Sequence, residues 1–195
     1  MYILTADEIR AVETDCFKYY STEAELMLKA GTACAESIIE KYDDSLVNSS
    51  VAVLCGNGKN AGDGFVIARL LYAYGANAKI VICDKEPEIA EPLKYYNEAV
   101  MSGVPVEFFN NSVLSADYIV DCIFGIGFHG EARSPFDKVF KTVGNSSATV
   151  ISVDRAVAGT DDSASGRHFV FTSLGYCLER LGFHGIYLAD NAFFD

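Results

Sequence analysis

The chain has 195 residues, half of them apolar, with 27 acidic against 15 basic residues and a net charge of -12. That is enough apolar material for one domain with a full core. So acidic a chain lacks the basic patch of a nucleic-acid binder, which excludes nucleic acid as a partner; a loop of backbone N–H groups could still hold a small anion. No apolar run approaches membrane-spanning length and no basic-then-apolar leader follows Met1. The expectation is a cytoplasmic protein with no membrane partner. The six cysteines (Cys16, Cys34, Cys55, Cys83, Cys122, Cys177) are scattered without a C-x-x-C pair, which reads as buried reduced thiols rather than disulfides or zinc ligands.

Two helical patterns open the chain. Thr5-Ala6-Asp7-Glu8 and Thr22-Glu23-Ala24-Glu25 both fit a capping box and predict helices over 5–18 and 22–42. In the second, Leu26, Met27, Ala30, Ala33, Cys34, Ser37, Ile38 and Tyr42 form an apolar stripe. A plain dinucleotide-binding domain needs no helices here. Such helices cover a sheet face or edge, or make a dimer contact.

The stretch from Ser50 to Ala73 changes character twice. Val51 to Cys55 is a short β-branched run, a buried parallel strand. Gly56-Asn57-Gly58-Lys59-Asn60-Ala61-Gly62-Asp63-Gly64 follows, with four glycines in nine residues. Then Phe65, Ile67, Ala68, Leu70, Leu71 and Ala73 fall at helical spacing. Strand, glycine turn and helix in that order begin a nucleotide-binding βα unit, where backbone approaches a ligand closely and a helix N-terminus faces an anion.

Further strands are expected at 78–83, 104–109, 118–124, 149–153, 169–172 and 185–189. Helices are expected at 61–74, 89–102 with Pro92 in the first turn, and 135–143. Alternation of strand and helix gives an α/β fold with a mostly parallel sheet and helices on both faces, one domain over residues 1–195. In such a sheet ligands lie at the carboxyl ends of the strands. That selects the glycine loop, Asp121 with Gly125-Ile126-Gly127-Phe128-His129-Gly130-Glu131, and Asp154 with the run after it.

Four segments resemble the NAD(P)H-hydrate epimerase family, the YjeF N-terminal domain. They are the opening from Leu4 to Arg10 and Leu26 to Gly31, the loop Gly56 to Gly64, the segment Val120-Asp121-Cys122-Ile123-Phe124-Gly125-Ile126-Gly127, and Ile151-Ser152-Val153-Asp154. The resemblance implies a Rossmann-like three-layer αβα sandwich with two extra N-terminal helices, and a homodimer. It implies a small-molecule substrate, NADHX or NADPHX, epimerised at C6 of the hydrated nicotinamide ring, and a functional partner in NAD(P)H-hydrate dehydratase. Carried over by position, Lys59, Asn60, Ala61, Gly62 and Asp63 bind substrate, as do Gly125, Ile126, Gly127, Phe128, His129, Gly130 and Glu131. Asp154 faces the substrate as the acid/base group, and Asn60 and Asp121 are potassium ligands.

The chain departs from the family pattern at the site. Lys59 stands where the family has Asn, and Ala61 where it has Gly. Arg155-Ala156-Val157-Ala158-Gly159 replaces I-P-S-G, so a potassium-binding serine is missing. The stretch Asp161 to Gly166 is longer than the family's turn, and Cys177 stands near the place of a family lysine. The ammonium of Lys59 is a candidate replacement for potassium, since it supplies a point charge with three donors; a solvated loop lysine is the alternative. Two other functions remain open. One is a catalytically degenerate paralogue that binds a nucleotide-like ligand or acts as a dimeric interaction module. The other is an NAD-dependent dehydrogenase, since Gly56-x-Gly58-x-x-Ala61 fits the loose dinucleotide fingerprint and Asp84 stands where a ribose-binding acid would.

Overall fold

The computed structural model describes residues 2–4, 11, 14, 21–125, 127–128, 131–154, 168–171 and 186–188. In chain order these give β1 (Tyr2–Leu4), α1 (Glu23–Tyr42), a 3-10 turn (Asp43–Leu46), β2 (Ser50–Cys55), α2 (Asn60–Tyr74), β3 (Asn77–Ile82) and α3 (Ala90–Met101). Then follow β4 (Val106–Phe108), a second 3-10 turn (Asn111–Ser115), β5 (Tyr118–Cys122), α4 (Phe136–Gly144), β6 (Thr149–Val153), β7 (His168–Phe171) and β8 (Ile186–Leu188).

Six strands form one parallel sheet in the order β4-β3-β2-β5-β6-β7. Counted from the glycine-loop strand, this is the doubly wound order in which the direction of winding reverses between the first and fourth strands, here β2 and β5. A crevice therefore opens outside the carboxyl ends of β2 and β5.

The two-residue period of the strands decides the layers. Val51, Val53, Cys55, Ile80, Ile82, Val120, Cys122, Ile151 and Val153 pack with α1, α2 and α3. Ala52, Leu54, Val81, Ile119 and Val150 pack with Val139 and Val143 of α4 and Val113 of the second 3-10 turn. The result is the expected three-layer αβα sandwich.

The second predicted helix begins where its capping box places it. Thr22 Oγ1 accepts from the Glu25 N–H at 3.2 Å, and Glu25 Oε2 accepts from the Thr22 N–H at 3.0 Å. Its apolar stripe is buried from Leu26 to Ile38. Gly31 lets it cross α2 closely, because a Cβ there would lie 2.7 Å from Val66 Cβ and 2.9 Å from Asp63 O. As a consequence α2 is enclosed between α1 and the sheet, and every residue from Asn60 to Ala68 is buried. It is not the amphipathic helix the spacing suggested. Gly75, at φ 111°, closes α2 in the left-handed conformation glycine adopts without cost.

Three expectations are corrected. The strand over 104–109 is shorter, because the Val104 N–H caps α3 at Ala99 O (3.1 Å) rather than joining the sheet. The strand over 118–124 stops at Cys122, where the Ile123 N–H turns to Asp121 Oδ1 at 3.0 Å. The strand over 185–189 lies outside the main sheet and pairs in parallel with β1, which carried no period long enough to read. Of the first predicted helix, Ala11 and Thr14 are helical; the rest lies outside the described residues, as do Cys16 and Cys177. Cys34, Cys55, Cys83 and Cys122 are buried and form no disulfide among the described residues. No helix among the described residues is long and apolar enough to cross a membrane.

Candidate active site

The glycine loop is held against the loop after β5 by contacts that only hydrogen side chains allow. A Cβ on Gly56 would stand 2.6 Å from Ile123 O, backbone against backbone. A Cβ on Gly64 would stand 2.8 Å from Cys122 Cβ and 2.9 Å from Cys55 Sγ, so this glycine seats α2 on β2 and β5. Gly58 and Gly127 differ: a Cβ on either would meet nothing within 4 Å. These two glycines leave open space beside the crevice, where a ligand could approach backbone. Ala61 is buried in the core shared by α2 and the sheet.

Asn60, the first residue of α2, ties the three loops together. Its Nδ2 donates to Phe124 O at 3.1 Å and to Val153 O at 3.2 Å. One side chain thus fixes the glycine loop against the ends of β5 and β6. Its other end, Oδ1, is buried and has no hydrogen-bond donor among the described residues. Such a carbonyl oxygen normally finds a partner.

Asp154 follows β6 with φ 68°, a left-handed conformation uncommon outside glycine, asparagine and aspartate. This turn swings the carboxylate over Gly125. The position a Gly125 Cβ would take lies 3.3 Å from Asp154 Oδ2, 3.4 Å from Asn60 Cβ and 3.7 Å from Asn60 Cγ. Gly125 is glycine because Asp154 and Asn60 converge there. The turn continues with the Phe128 N–H donating to Gly125 O at 3.1 Å. Phe124 and Phe128 stack with centroids 3.8 Å apart, and Phe136 and Phe140 of α4 pack against the Phe124 ring. The Phe124 carbonyl faces Asn60 while its ring anchors the loop.

Asp121 lies one residue inside the end of β5, between Val120 and Cys122, which face α2. Its own side chain therefore takes the other face, that of Ile119 and Ile123. It accepts from the Ile123 N–H and is buried. Desolvation pushes its pKa up to about 7, opposed only by that backbone hydrogen bond. Burial likewise pushes the thiols of Cys55, Cys83 and Cys122 up, and the Asp121 charge adds to each shift. These thiols are poor nucleophiles and belong to the core.

Lys59 precedes α2 and makes no side-chain cap. Its ammonium is paired with Glu23 at the start of α1, and its side chain is 62% exposed. Asp63 is buried in the first turn of α2, where the helix dipole favours a negative charge. Asn57 of the glycine loop donates through Nδ2 to Asp84 Oδ2 at 2.9 Å. Glu131 is exposed. Ile126, His129 and Gly130, and the run from Arg155 to Gly166, lie outside the described residues.

The structure thus brings Asn60, Gly125 and Asp154 together under the glycine loop, while Asp121 accepts from the Ile123 N–H on the other face of β5. The Asn57–Asp84 link has no counterpart among the expected site residues, although the position of Asp84 after its strand pointed to it. Among the described residues no three His, Cys, Asp or Glu side chains form a metal cage. A hard monovalent cation asks for something else, namely single oxygens of carbonyl and carboxylate type. Asn60 Oδ1, an orphaned buried acceptor, and Asp121 fit that donor set by type.

A doubly wound sheet, a glycine turn into a buried helix and a carboxylate at the switch-point crevice define a nucleotide-binding α/β domain. Comparison with known proteins makes the class particular. Residues 23–168 match the family model described as YjeF-related protein N-terminus, and the chain belongs to that family. The NAD(P)H-hydrate epimerase of Caenorhabditis elegans is 35% identical over 173 residues, 83% of this chain and 71% of that protein. That of Puccinia graminis f. sp. tritici is 31% identical over 176 residues, 88% of this chain and 72% of that protein. The crystal structure of the yeast protein YNL200c superposes with a TM-score of 0.73 at 22% identity, covering 84% of this chain and 74% of that one, which establishes the shared fold.

Proposed function

We propose that this protein is an NAD(P)H-hydrate epimerase, an isomerase that inverts C6 of the hydrated nicotinamide ring of NADH or NADPH. The observation that carries the reading is the placement of Asp154 Oδ2 beside Asn60 over Gly125, at the crevice where a doubly wound sheet binds nucleotides.

The chemistry suits one carboxylate. C6 of the hydrate is a hemiaminal carbon, bonded to N1 and to a hydroxyl. Protonation lets that hydroxyl leave as water, with the N1 lone pair forming a cationic C=N bond. Water then adds to the opposite face and gives up a proton. Asp154 moves the proton in both directions and its negative charge stabilises the cation between them. The open backbone at Gly58 and Gly127 gives the substrate phosphates room to meet N–H donors. Asn60 Oδ1 would serve as an oxygen ligand of a potassium ion, which would supply a fixed positive charge near the bound nucleotide. The Glu23 partner of Lys59 argues for a rim position of that ammonium rather than a place on Asn60. A dehydratase that consumes one epimer is the functional partner in this reading.

The test is a coupled assay. Purified protein is given the epimer that the dehydratase does not use, plus that dehydratase, in potassium or choline salts. Acceleration of cofactor recovery supports the proposal, and potassium dependence supports the ion site. Absence of acceleration in both salts refutes it and leaves a non-catalytic nucleotide-binding paralogue.

A further inference from the structure

Asp154 stands one residue beyond the end of β6, in a left-handed turn at φ 68°. Such a conformation persists where the surroundings hold it. Asn60 is placed to do so. A peptide group is planar, so fixing its carbonyl oxygen fixes the plane from one Cα to the next. The plane that begins with the Val153 carbonyl ends at the Asp154 Cα, and the plane that begins with the Phe124 carbonyl ends at the Gly125 Cα. Asn60 Nδ2 donates to both oxygens, at 3.2 Å and 3.1 Å. Its two N–H groups therefore fix the two Cα atoms on either side of the close approach in which Asp154 Oδ2 lies 3.3 Å from the Gly125 Cβ position. The Phe124 end is itself anchored, since its ring stacks on Phe128 and packs against Phe136 and Phe140. Asn60 is 6% exposed, so water does not compete for these bonds. Both neighbours are acceptors, which turns the NH₂ end of the amide toward them and Oδ1 away.

We propose that Asn60 is a positioning residue for the reaction: through Nδ2 it holds the Asp154 turn, and so aims the carboxylate at the reacting carbon, a role separate from that of Oδ1 toward a cation. The inference rests on the epimerase reading for its chemistry, but the positioning itself is visible without turnover. Aspartate is the discriminating replacement. It matches asparagine in shape and keeps an oxygen at Oδ1, but it sets a second oxygen opposite the carbonyls of Phe124 and Val153. Ionised, that oxygen repels both carbonyls. Protonated, it offers one O–H where Asn60 offers two N–H groups. An asparagine that served only as an oxygen ligand for a hard cation would be replaced by aspartate without loss.

The experiment compares the full chain with Asn60→Asp and Asn60→Ala, each alone and combined with Asp154→Asn, by epimer interconversion in potassium salts and by crystallography. Thermal midpoints confirm folding, and Asn60→Ala serves if a buried carboxyl group opposes it. Both single variants are expected to lower kcat about 10²-fold, the effect of misplacing a catalytic group by about 1 Å, with KM within about threefold of the wild type. In the Asp154→Asn background neither substitution should lower kcat further, because a residue that acts through Asp154 has nothing left to position. A residue that merely holds the fold would lower both backgrounds alike. The crystals should show the Asp154 carboxylate displaced by about 1 Å or more in both variants. A wild-type kcat in Asn60→Asp, losses that multiply in the double variants, or an Asp154 turn unmoved in both crystals would overturn the proposal. Failure of the epimerase reading shows differently, as a displaced Asp154 in the variants together with no epimer conversion by the wild type.

Discussion

Replacing Gly56 with alanine tests whether the site is assembled by contact between two strand ends. The added methyl would lie 2.6 Å from Ile123 O and 3.3 Å from Ile123 C and Cα. Ordinary carbon–oxygen contacts are longer by several tenths of an ångström, so the two loops must part. Neither partner is a side chain that could rotate away, and Cys55 and Cys122 are paired in register immediately before them. Overpacking of this kind costs about 1–3 kcal/mol. For a domain of this size each kcal/mol lowers the melting midpoint by about 2–4 °C, so a fall of roughly 2–12 °C is expected. Parting the loops also draws Phe124 O away from Asn60, so kcat/KM falls further than stability alone would explain. Gly58→Ala is the control for stability alone, because its Cβ meets nothing within 4 Å and its backbone is not left-handed. Calorimetry on both variants and the coupled assay on Gly56→Ala decide. Equal stability of Gly56→Ala and wild type, or an equal loss of stability in Gly58→Ala, would refute the account of the loop.

Asn adopts the left-handed conformation as readily as Asp, so Asp154→Asn should keep stability within about 0.5 kcal/mol in urea melts while cutting kcat by about 10²–10⁴. Asp154→Val, with a β-branched residue at φ 68°, should cost about 1–3 kcal/mol in the same melts. Burial raises the Asp121 pKa from 3.8 to about 7. The folded state then holds a proton that the unfolded chain has released, so the Asp121 contribution to stability is greatest below pH 4 and is lost as pH rises to about 7. The shift of about three pH units corresponds to roughly 4 kcal/mol, absent in Asp121→Asn; superimposable pH–stability curves of the two would contradict the burial argument. Lys59→Asn breaks a partly exposed ion pair with Glu23, so its melting free energy should change by no more than about 1 kcal/mol, and a larger change would mean the lysine has a buried role.

The layers, the parallel sheet and the glycine loop were legible because each rests on a local pattern. β-branched runs mark strands that are buried on both faces, and the Thr22–Glu25 capping box marks a helix start to the residue. Strand ends were less legible. Val104 and Ile123 carry apolar side chains suited to a strand, but their N–H groups are claimed by Ala99 O and Asp121 Oδ1, which only the tertiary arrangement reveals. The full burial of Asn60 to Ala68 was hidden for the same reason, since it depends on α1 crossing at Gly31. Within the site, Asp154 was read from its place after a strand. The dual role of Asn60 was not, because its two acceptors lie 64 and 93 residues away in the chain.

The most direct measurement is chromatographic separation of the two C6 epimers of hydrated NADH after incubation of one pure epimer with the protein. The account predicts fast approach to the equilibrium mixture with wild type and the slow spontaneous rate with Asp154→Asn. Equal rates with wild type, with Asp154→Asn and without protein would contradict it.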